Sequence, residues 1–180
     1  MATSAHGTVR ERLVRREGAW RAVTLGVRYG VWVHPVHGPV LIDTGYGPEV
    51  TSGRGSLALA LYAMAIRPKL AEQPEAVLAR LGFAADDVRT IVITHFHADH
   101  VSGLRRFTKS RFVAAGWTQL KAQSTFRQLR HGVFFEMLPA DFETRVIDME
   151  GLPERDLQVG PARGSCGEGQ GGEEMRKQRG

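Results

Sequence analysis

The chain has 180 residues and a mass of 19.8 kDa, which suits one ordinary domain. Hydrophobic residues make up 42% and charged residues 24%, which excludes a fully disordered or fibrous chain. The single cysteine, Cys166, excludes an internal disulfide and a cysteine-based zinc cluster. No secretory signal is visible, and the longest apolar run, Leu57–Ile66, is too short to cross a bilayer. We therefore expect a cytoplasmic protein with no membrane partner.

The net charge of +5 comes largely from arginine and is unevenly spread. Between His100 and Glu136 the chain has several basic residues and no acid. We interpret this segment as a solvated helix surface. Nucleic acid is not an expected partner, because no aromatic-interleaved basic motif accompanies the charges. The basic residues of this segment are Arg105, Arg106, Lys109, Arg111, Lys121, Arg127 and Arg130.

The first part of the chain predicts strands. Strands are expected within residues 8–43, where Val27, Tyr29, Val31 and Val33 occupy every second position, the period of a half-buried strand. A Pro- and Gly-containing turn then leads into a buried run at 40–42. This pattern indicates a hairpin that ends at Asp43-Thr44-Gly45. The residues before residue 8, including His6, are expected to be a mobile terminus.

Helices and strands then alternate. Residues 46–56 contain glycine and proline and predict an exposed loop, and a buried helix is expected at Leu57–Ile66. The later pattern favours an α/β sandwich. Its expected elements are a helix at 74–81, a buried strand at 90–94, a helical segment at 101–107, a strand at 111–115, a helix at 117–129 with Trp117, Leu120, Phe126 and Leu129 facing inward, and a strand at 145–149.

The composition changes at Gly151. From there to the end the chain is rich in glycine, lacks aromatic residues and mixes acids with basic residues. Such a segment cannot bury enough apolar surface to offset its chain entropy. We therefore expect a domain over residues 1–150 and a disordered tail over residues 151–180.

The chemically informative stretch is His95-Phe96-His97-Ala98-Asp99-His100, directly after the predicted strand at 90–94. In an extended segment residues i and i+2 point the same way, so His95 and His97 can face one metal ion. Asp99 and His100 follow where the chain turns into a helix. Imidazoles and a carboxylate suit Zn²⁺, and also Fe or Mn. A lone His-x-His pair is often a surface feature, but four such groups in so short a segment predict a metal site.

This motif resembles that of the metallo-β-lactamase-fold superfamily, His-x-His-x-Asp-His. The segment Leu41-Ile42-Asp43-Thr44-Gly45 is similar to the first motif of that family, and the local style is closest to the glyoxalase II and lactonase branch. The resemblance implies the family's αββα sandwich, of which this chain would supply the N-terminal half.

The resemblance also implies roles for individual residues. His95 and His97 would serve a first metal ion, Asp99 and His100 a second, and Asp43 would accept a hydrogen bond beside the ligand loop and orient it. An ordinary turn residue is the alternative interpretation of Asp43. Two Zn²⁺ ions would activate a hydroxide that attacks a carbonyl or phosphoryl centre, and Asp99 would accept a proton.

The chain departs from the family pattern after this motif. The family completes its site with two further histidines and a bridging aspartate, whereas no histidine here follows His131. His34 and His37 lie at the predicted hairpin turn, and His131 is expected to be a surface residue. We therefore expect a truncated or frameshifted chain that hydrolyses little and leaves one face of its sheet exposed.

Three functions remain open from the sequence. The first is a metal-dependent hydrolase of small esters, thioesters or lactones, acting on a small-molecule substrate. The second is a phosphodiesterase or nuclease of the same superfamily, which only the basic segment supports. The third is a non-catalytic fragment that binds metal.

Overall fold

A seven-stranded mixed sheet forms the centre of the protein in the computed structural model, which describes residues 1–52 and 55–150. When the strands are numbered in chain order, their order across the sheet is 4-1-2-3-5-6-7. The strands are β1 (Ala2–Arg10), β2 (Ala22–His34), β3 (Gly38–Ile42), β4 (Lys69–Leu70), β5 (Thr90–Ile93), β6 (Arg111–Ala114) and β7 (Val146–Asp148).

Short helices connect these strands. Three further single turns of 3₁₀ helix occur at Ala85–Asp87, Leu104–Arg106 and Phe135–Met137. Within the described ranges, no helix has the length and apolar character that crossing a bilayer requires. The helices are α1 (Glu11–Val14), α2 (Pro48–Thr51), α3 (Leu57–Ile66), α4 (Pro74–Arg80), α5 (Ala98–Val101), α6 (Trp117–Lys121), α7 (Thr125–Arg130) and α8 (Phe142–Arg145).

The predicted hairpin is confirmed, with β2 and β3 antiparallel and Val31 paired with Leu41. The expectation of a mobile N-terminus is wrong, because β1 pairs with β2 along its whole length and His6 lies opposite Gly26. The segment of β1 is rich in small and polar residues, so its sequence carries little strand signal. Backbone pairing with a long neighbouring strand holds it in place instead.

Two helix predictions need correction. Helix α3 has the predicted bounds but is largely exposed: Leu59 is its buried residue, whereas Leu57 is 76% exposed. The helix predicted at 117–129 is two helices: α6 ends at Lys121, and Ser124 caps the start of α7 by accepting a hydrogen bond from Arg127 N. This break turns Phe126 outward, where it is 78% exposed.

The predicted loop at 46–56 also differs in the structure. Tyr46 and Gly47 are buried, and the one-turn helix α2 follows them. The glycine content of this segment reflects close packing, because a Cβ on Gly47 would lie 2.8 Å from an Arg106 guanidinium nitrogen. The prediction of a disordered tail at 151–180 lies outside the described residues.

The two faces of the sheet differ sharply. One face carries the main core, in which Leu41, Ile91 and Phe112 are fully buried. The register places Ile42, Val92 and Val113 together on the opposite face. Ile42 is 38% exposed there, whereas Val92 and Val113 are half-buried, so the described residues cover this face only in part.

The parallel pairing of β3 with β5 creates the functional edge of the sheet. Ile42 lies opposite Val92, so both strands end at the same level and the chain leaves them side by side. The amide of Asp43 donates to the Val92 carbonyl at 2.8 Å and extends this pairing by one residue. Carboxyl ends of parallel strands are where α/β sheets place ligands, and this edge holds both predicted motifs.

Gly45 is required where the segment after Asp43 crosses β1. Its φ is +69°, and a Cβ there would lie 2.0 Å from Ser4 Oγ. Ser4 is fully buried and its hydroxyl accepts a hydrogen bond from Tyr46 N at 3.1 Å. The hydroxyl therefore cannot move aside without losing a buried partner.

We predict that Gly45→Ala destabilises the protein far more than Gly38→Ala. Gly38 has a similar φ of +71° but no atom within 4 Å of a built Cβ, so it serves as the matched control. The left-handed backbone costs an alanine about 1–2 kcal/mol at either position, and overpacking against Ser4 adds roughly 1–3 kcal/mol at Gly45 alone. Urea unfolding measures both, and equal losses would contradict the packing argument.

Candidate metal centre

The predicted metal motif occupies the loop after β5 and the first residues of α5, and residues 94–100 are called the metal loop below. The ligand atoms of His95, Asp99 and His100 lie within 4.8 Å of one another. The ring centroids of His95 and His100 are 3.7 Å apart, and the His97 ring lies 4.6 Å from that of His95. The family resemblance assigns His95 and His97 to one ion and Asp99 and His100 to another, whereas the structure groups His95 with Asp99 and His100 and leaves His97 beside them.

Asp43 connects the end of β3 to this loop. Its Oδ1 accepts a hydrogen bond from Thr94 N at 2.8 Å, and its Oδ2 accepts one from Thr94 Oγ1 at 2.7 Å. The same Oδ2 lies 2.8 Å from His100 Nδ1. Asp43 adopts a left-handed φ of 59°, an unfavourable conformation that aspartate tolerates better than most residues.

These contacts determine which nitrogen of His100 is free. A carboxylate can only accept, so Nδ1 carries the proton that is donated to Asp43. Nε2 then faces Asp99 Oδ2 at 3.4 Å. With Nε2 unprotonated, two lone pairs would confront each other, so a cation or a second proton stabilises this arrangement.

The electrostatics of the loop follow from its neighbours. Burial opposes a charge on His100, but the hydrogen bonds to Asp43 and Asp99 outweigh it and raise its pKa to about 9. Burial, together with the neighbouring imidazoles, lowers the pKa of His95. Burial opposes the charge on Asp99, but its hydrogen bond to His100 outweighs burial and lowers the pKa of the carboxyl. At neutral pH, His95 is thus a neutral imidazole and Asp99 a carboxylate.

Buried hydroxyls fasten the Asp43 segment to α5. Thr44 Oγ1 donates to the His100 carbonyl at 3.0 Å and accepts from Gly103 N at 3.1 Å. Ser102 Oγ donates to the Gly45 carbonyl at 2.9 Å and accepts from Gly47 N at 2.7 Å. These contacts are not predictable from the sequence, because a lone serine or threonine gives no signal of a long-range contact.

A cavity of about 450 Å³ opens beside the metal loop. His95 and His97 line one side, and Arg127 and His131 line another. His131 is exposed as expected, but it faces this shared cavity, because the carbonyl of the following Gly132 accepts a hydrogen bond from Ala98 N at 3.0 Å. His131 is therefore part of the site's surroundings.

Other candidate groups lie elsewhere. His34 and His37 stack on each other at the β2–β3 turn, with ring centroids 4.5 Å apart. A larger cavity of about 520 Å³ has none of the four motif ligands on its wall. The hydroxyls of Tyr46 and Tyr62 are hydrogen-bonded to each other, and burial raises the pKa of Tyr62 to about 12, so this pair is uncharged.

Comparison with known families identifies this arrangement. The profile of the metallo-beta-lactamase superfamily matches residues 23–166, which include β3, β5 and the whole loop. The chain belongs to the metallo-β-lactamase superfamily.

Curated members of this superfamily match a shorter region. N-acyl homoserine lactonase AiiB of Agrobacterium fabrum is 40% identical over 77 residues, covering 42% of this chain and 28% of that protein. A probable metallo-hydrolase of Mycobacterium tuberculosis is 36% identical over 75 residues, covering 41% of this chain and 24% of that protein. These matches span less than a third of the length of the curated relatives.

Solved structures of the superfamily share the fold. An N-acyl homoserine lactone hydrolase, described with N-hexanoyl-L-homoserine at its catalytic metal centre, has a TM-score of 0.56 at 19% identity and covers 82% of this chain and 61% of its own. A probable metal-dependent hydrolase from Staphylococcus aureus has a TM-score of 0.62 at 15% identity, covering 82% of this chain and 57% of its own. Mixed α/β architecture of the metallo-β-lactamase type is thus established for this chain.

We predict that the metal-free protein loses stability as the pH rises from about 6.5 to about 9. The folded state raises the pKa of His100, so its stabilising contribution is complete below the unfolded value of 6.5 and is lost as the pH passes the folded value. The loss should be about 1–3 kcal/mol. Urea unfolding in the presence of a chelator measures it.

Asp43→Asn is the matched variant for this prediction, because asparagine also tolerates a left-handed φ. It removes the charge that favours protonated His100 and should flatten the slope between these pH values. An equal slope in both proteins would show that other groups titrate in this range.

Proposed function

We propose that this protein is a metal-dependent hydrolase of small esters or lactones, with Zn²⁺ bound by His95, Asp99 and His100 and with His97 beside them. The observation that carries the proposal is the convergence of two imidazoles and a carboxylate within 4.8 Å at the carboxyl edge of the sheet. We place this function in the domain formed by residues 1–150.

The donor set fits zinc in chemistry and in protonation. Catalytic zinc sites use three protein ligands from histidine and carboxylate side chains and keep one position open. Burial keeps the His95 imidazole neutral, and the hydrogen bond from His100 keeps Asp99 ionised, as ligation requires. His100 has a pKa of about 9 in the metal-free protein, so zinc binding would displace its Nε2 proton. Iron and manganese accept similar donors. We propose zinc because histidine and carboxylate are both among its ordinary ligands.

Each residue has a separate task in this proposal. A bound zinc ion supplies Lewis acidity and lowers the pKa of water to about 7. Asp43 holds the proton on His100 Nδ1 and so directs Nε2 toward the ion. Asp99 is 29% exposed in its side chain, which leaves its carboxylate accessible to accept a proton from the attacking water.

The choice of substrate class rests on the relatives. AiiB of Agrobacterium fabrum is a lactonase, and a structure with the same fold carries N-hexanoyl-L-homoserine. Esters and lactones share the acyl carbonyl that such a site attacks. The phosphodiesterase alternative is less favoured. Arg105 donates to the Leu138 carbonyl and Arg106 pairs with Glu75, so these two arginines do not join the other basic residues in a continuous surface for a phosphate backbone.

Removing a proposed ligand should lower the metal content of the purified protein. We expect His95→Ala and Asp99→Ala each to bind zinc at least about tenfold more weakly than the parent, because each removes a direct ligand, and His97→Ala to weaken binding less, because its ring lies beside the ligands. His37→Ala is the matched control, since that histidine stacks at the hairpin turn. Elemental analysis and competition with a chromogenic chelator give the content and affinity, and unchanged values in all three variants would exclude this loop.

Zinc-dependent turnover should be slow but should depend on Asp99. With N-hexanoyl homoserine lactone or p-nitrophenyl acetate as substrate, Asp99→Asn should lower kcat by about 100-fold or more, because it removes a proton acceptor and weakens the site. Bis-p-nitrophenyl phosphate, assayed in parallel, tests the phosphodiesterase alternative. Metal binding without turnover of any of these substrates would favour the non-catalytic alternative.

A further inference from the structure

We propose that the cavity beside the metal loop binds an anionic group of the substrate, a carboxylate or a phosphate, through Arg127. This inference rests on the proposed function, since it names a chemical feature of the substrate that the same site would accept. A volume of about 450 Å³ is within the usual range for small-molecule sites.

The wall of the cavity has the composition of an anion site. Among the described residues that line it there is no aspartate or glutamate, whereas hydrogen-bond donors come from the loop, from α6 and from α7. Side chains of glutamine donate through their amides, and those of arginine through a planar fork that matches a carboxylate or phosphate. The polar lining residues are Thr94, His95, His97, Gln119, Gln123, Arg127 and His131.

Arg127 is the basic residue of its segment that faces this cavity. Its side chain forms no ion pair with any described residue. Other basic residues of the segment are engaged elsewhere: Arg106 contacts Glu49 and Glu75, and Lys121 contacts Glu143. The structure thus leaves Arg127 available for a ligand and directs it to the side where the proposed metal ligands lie.

The position of the cavity relates this charge to the chemistry. His95 and His97 form part of its wall, so a ligand that fills the cavity extends from the metal loop toward α7. The hydrogen bond from Ala98 N to the Gly132 carbonyl fixes the segment after α7 against the loop. An anion held by Arg127 would therefore stay at a constant distance from the reacting centre, which is how a charged clamp orients a substrate.

One carboxylate does approach the rim. Glu150 Oε1 lies 3.5 Å from the position that a Cβ would take on Gly116, a lining residue. Its charge opposes anion binding, so its removal should strengthen binding. Substitution of Glu150 should therefore change the affinity for anions in the opposite direction to substitution of Arg127.

The test measures the binding of succinate and of methyl phosphate, with dimethyl succinate as the uncharged control. Chelator-treated protein is used so that no metal binds the probes, at an ionic strength of about 0.15 M to screen distant charges. Backbone amide shifts locate the probe, and their titration gives its Kd. Arg127→Gln is compared with Arg130→Gln, an exposed arginine of the same helix that does not line the cavity.

We expect both anions to shift amides within residues 115–133 and the neutral ester to shift none. Arg127→Gln should weaken binding about tenfold, Arg130→Gln less than about twofold, and Glu150→Gln should strengthen it. The proposal is overturned if neither anion binds, if the shifts lie elsewhere, or if both arginine variants lose affinity equally. The anion that binds more tightly identifies whether the site prefers a carboxylate or a phosphate.

A second arm uses zinc-loaded protein and two p-nitrophenyl esters, the acetate and the hydrogen succinate. Arg127→Gln should lower kcat/KM about tenfold for the charged ester only. If no ester is hydrolysed, the proposed function fails while the binding arm still decides the anion site. Equal losses for both esters would remove Arg127 from substrate selection.

Discussion

The arrangement of the site depends on the carboxylate of Asp43. It accepts two hydrogen bonds from Thr94, at 2.8 and 2.7 Å, and contacts His100 Nδ1 at 2.8 Å. One side chain thus joins the end of β3, the end of β5 and the start of α5. Charge-assisted bonds of this kind are the strongest that a protein offers, and here they offset an unfavourable left-handed backbone at Asp43 itself.

The rest of the edge keeps that carboxylate in place. The buried hydroxyls of Ser4, Thr44 and Ser102 each bond to backbone groups of another segment, and Gly45 lets the chain pass over Ser4. Each of these three hydroxyls therefore has a backbone partner, so their burial leaves none of them unsatisfied. The adjacent rings of His95 and His100 have opposite pKa shifts: burial lowers the pKa of His95, whereas contacts with carboxylates on both nitrogens outweigh burial and raise the pKa of His100.

The surroundings of the loop separate charge by sign. The carboxylates of Asp43 and Asp99 contact His100, whereas the cavity that His95 and His97 line carries Arg127 and His131. An electrostatic gradient of this kind favours a cation at the loop and an anion in the cavity. The basic segment that the sequence shows as one block therefore divides in the structure, with Arg106 used to hold Glu49 and Glu75 and Arg127 left facing the site.

Local pattern was enough to predict the β2–β3 hairpin, strand β5 and the bounds of α3, because alternation, β-branched runs and a following proline act within a few residues. The motif from His95 to His100 also identifies the family, since its spacing is itself the chemical signal. Strand β1 was missed because its order comes from pairing with β2, not from its own side chains. Only tertiary structure decided that His95 groups with Asp99 and His100 and that Arg127 and His131 face their cavity, because those distances depend on how β5, α5 and α7 pack.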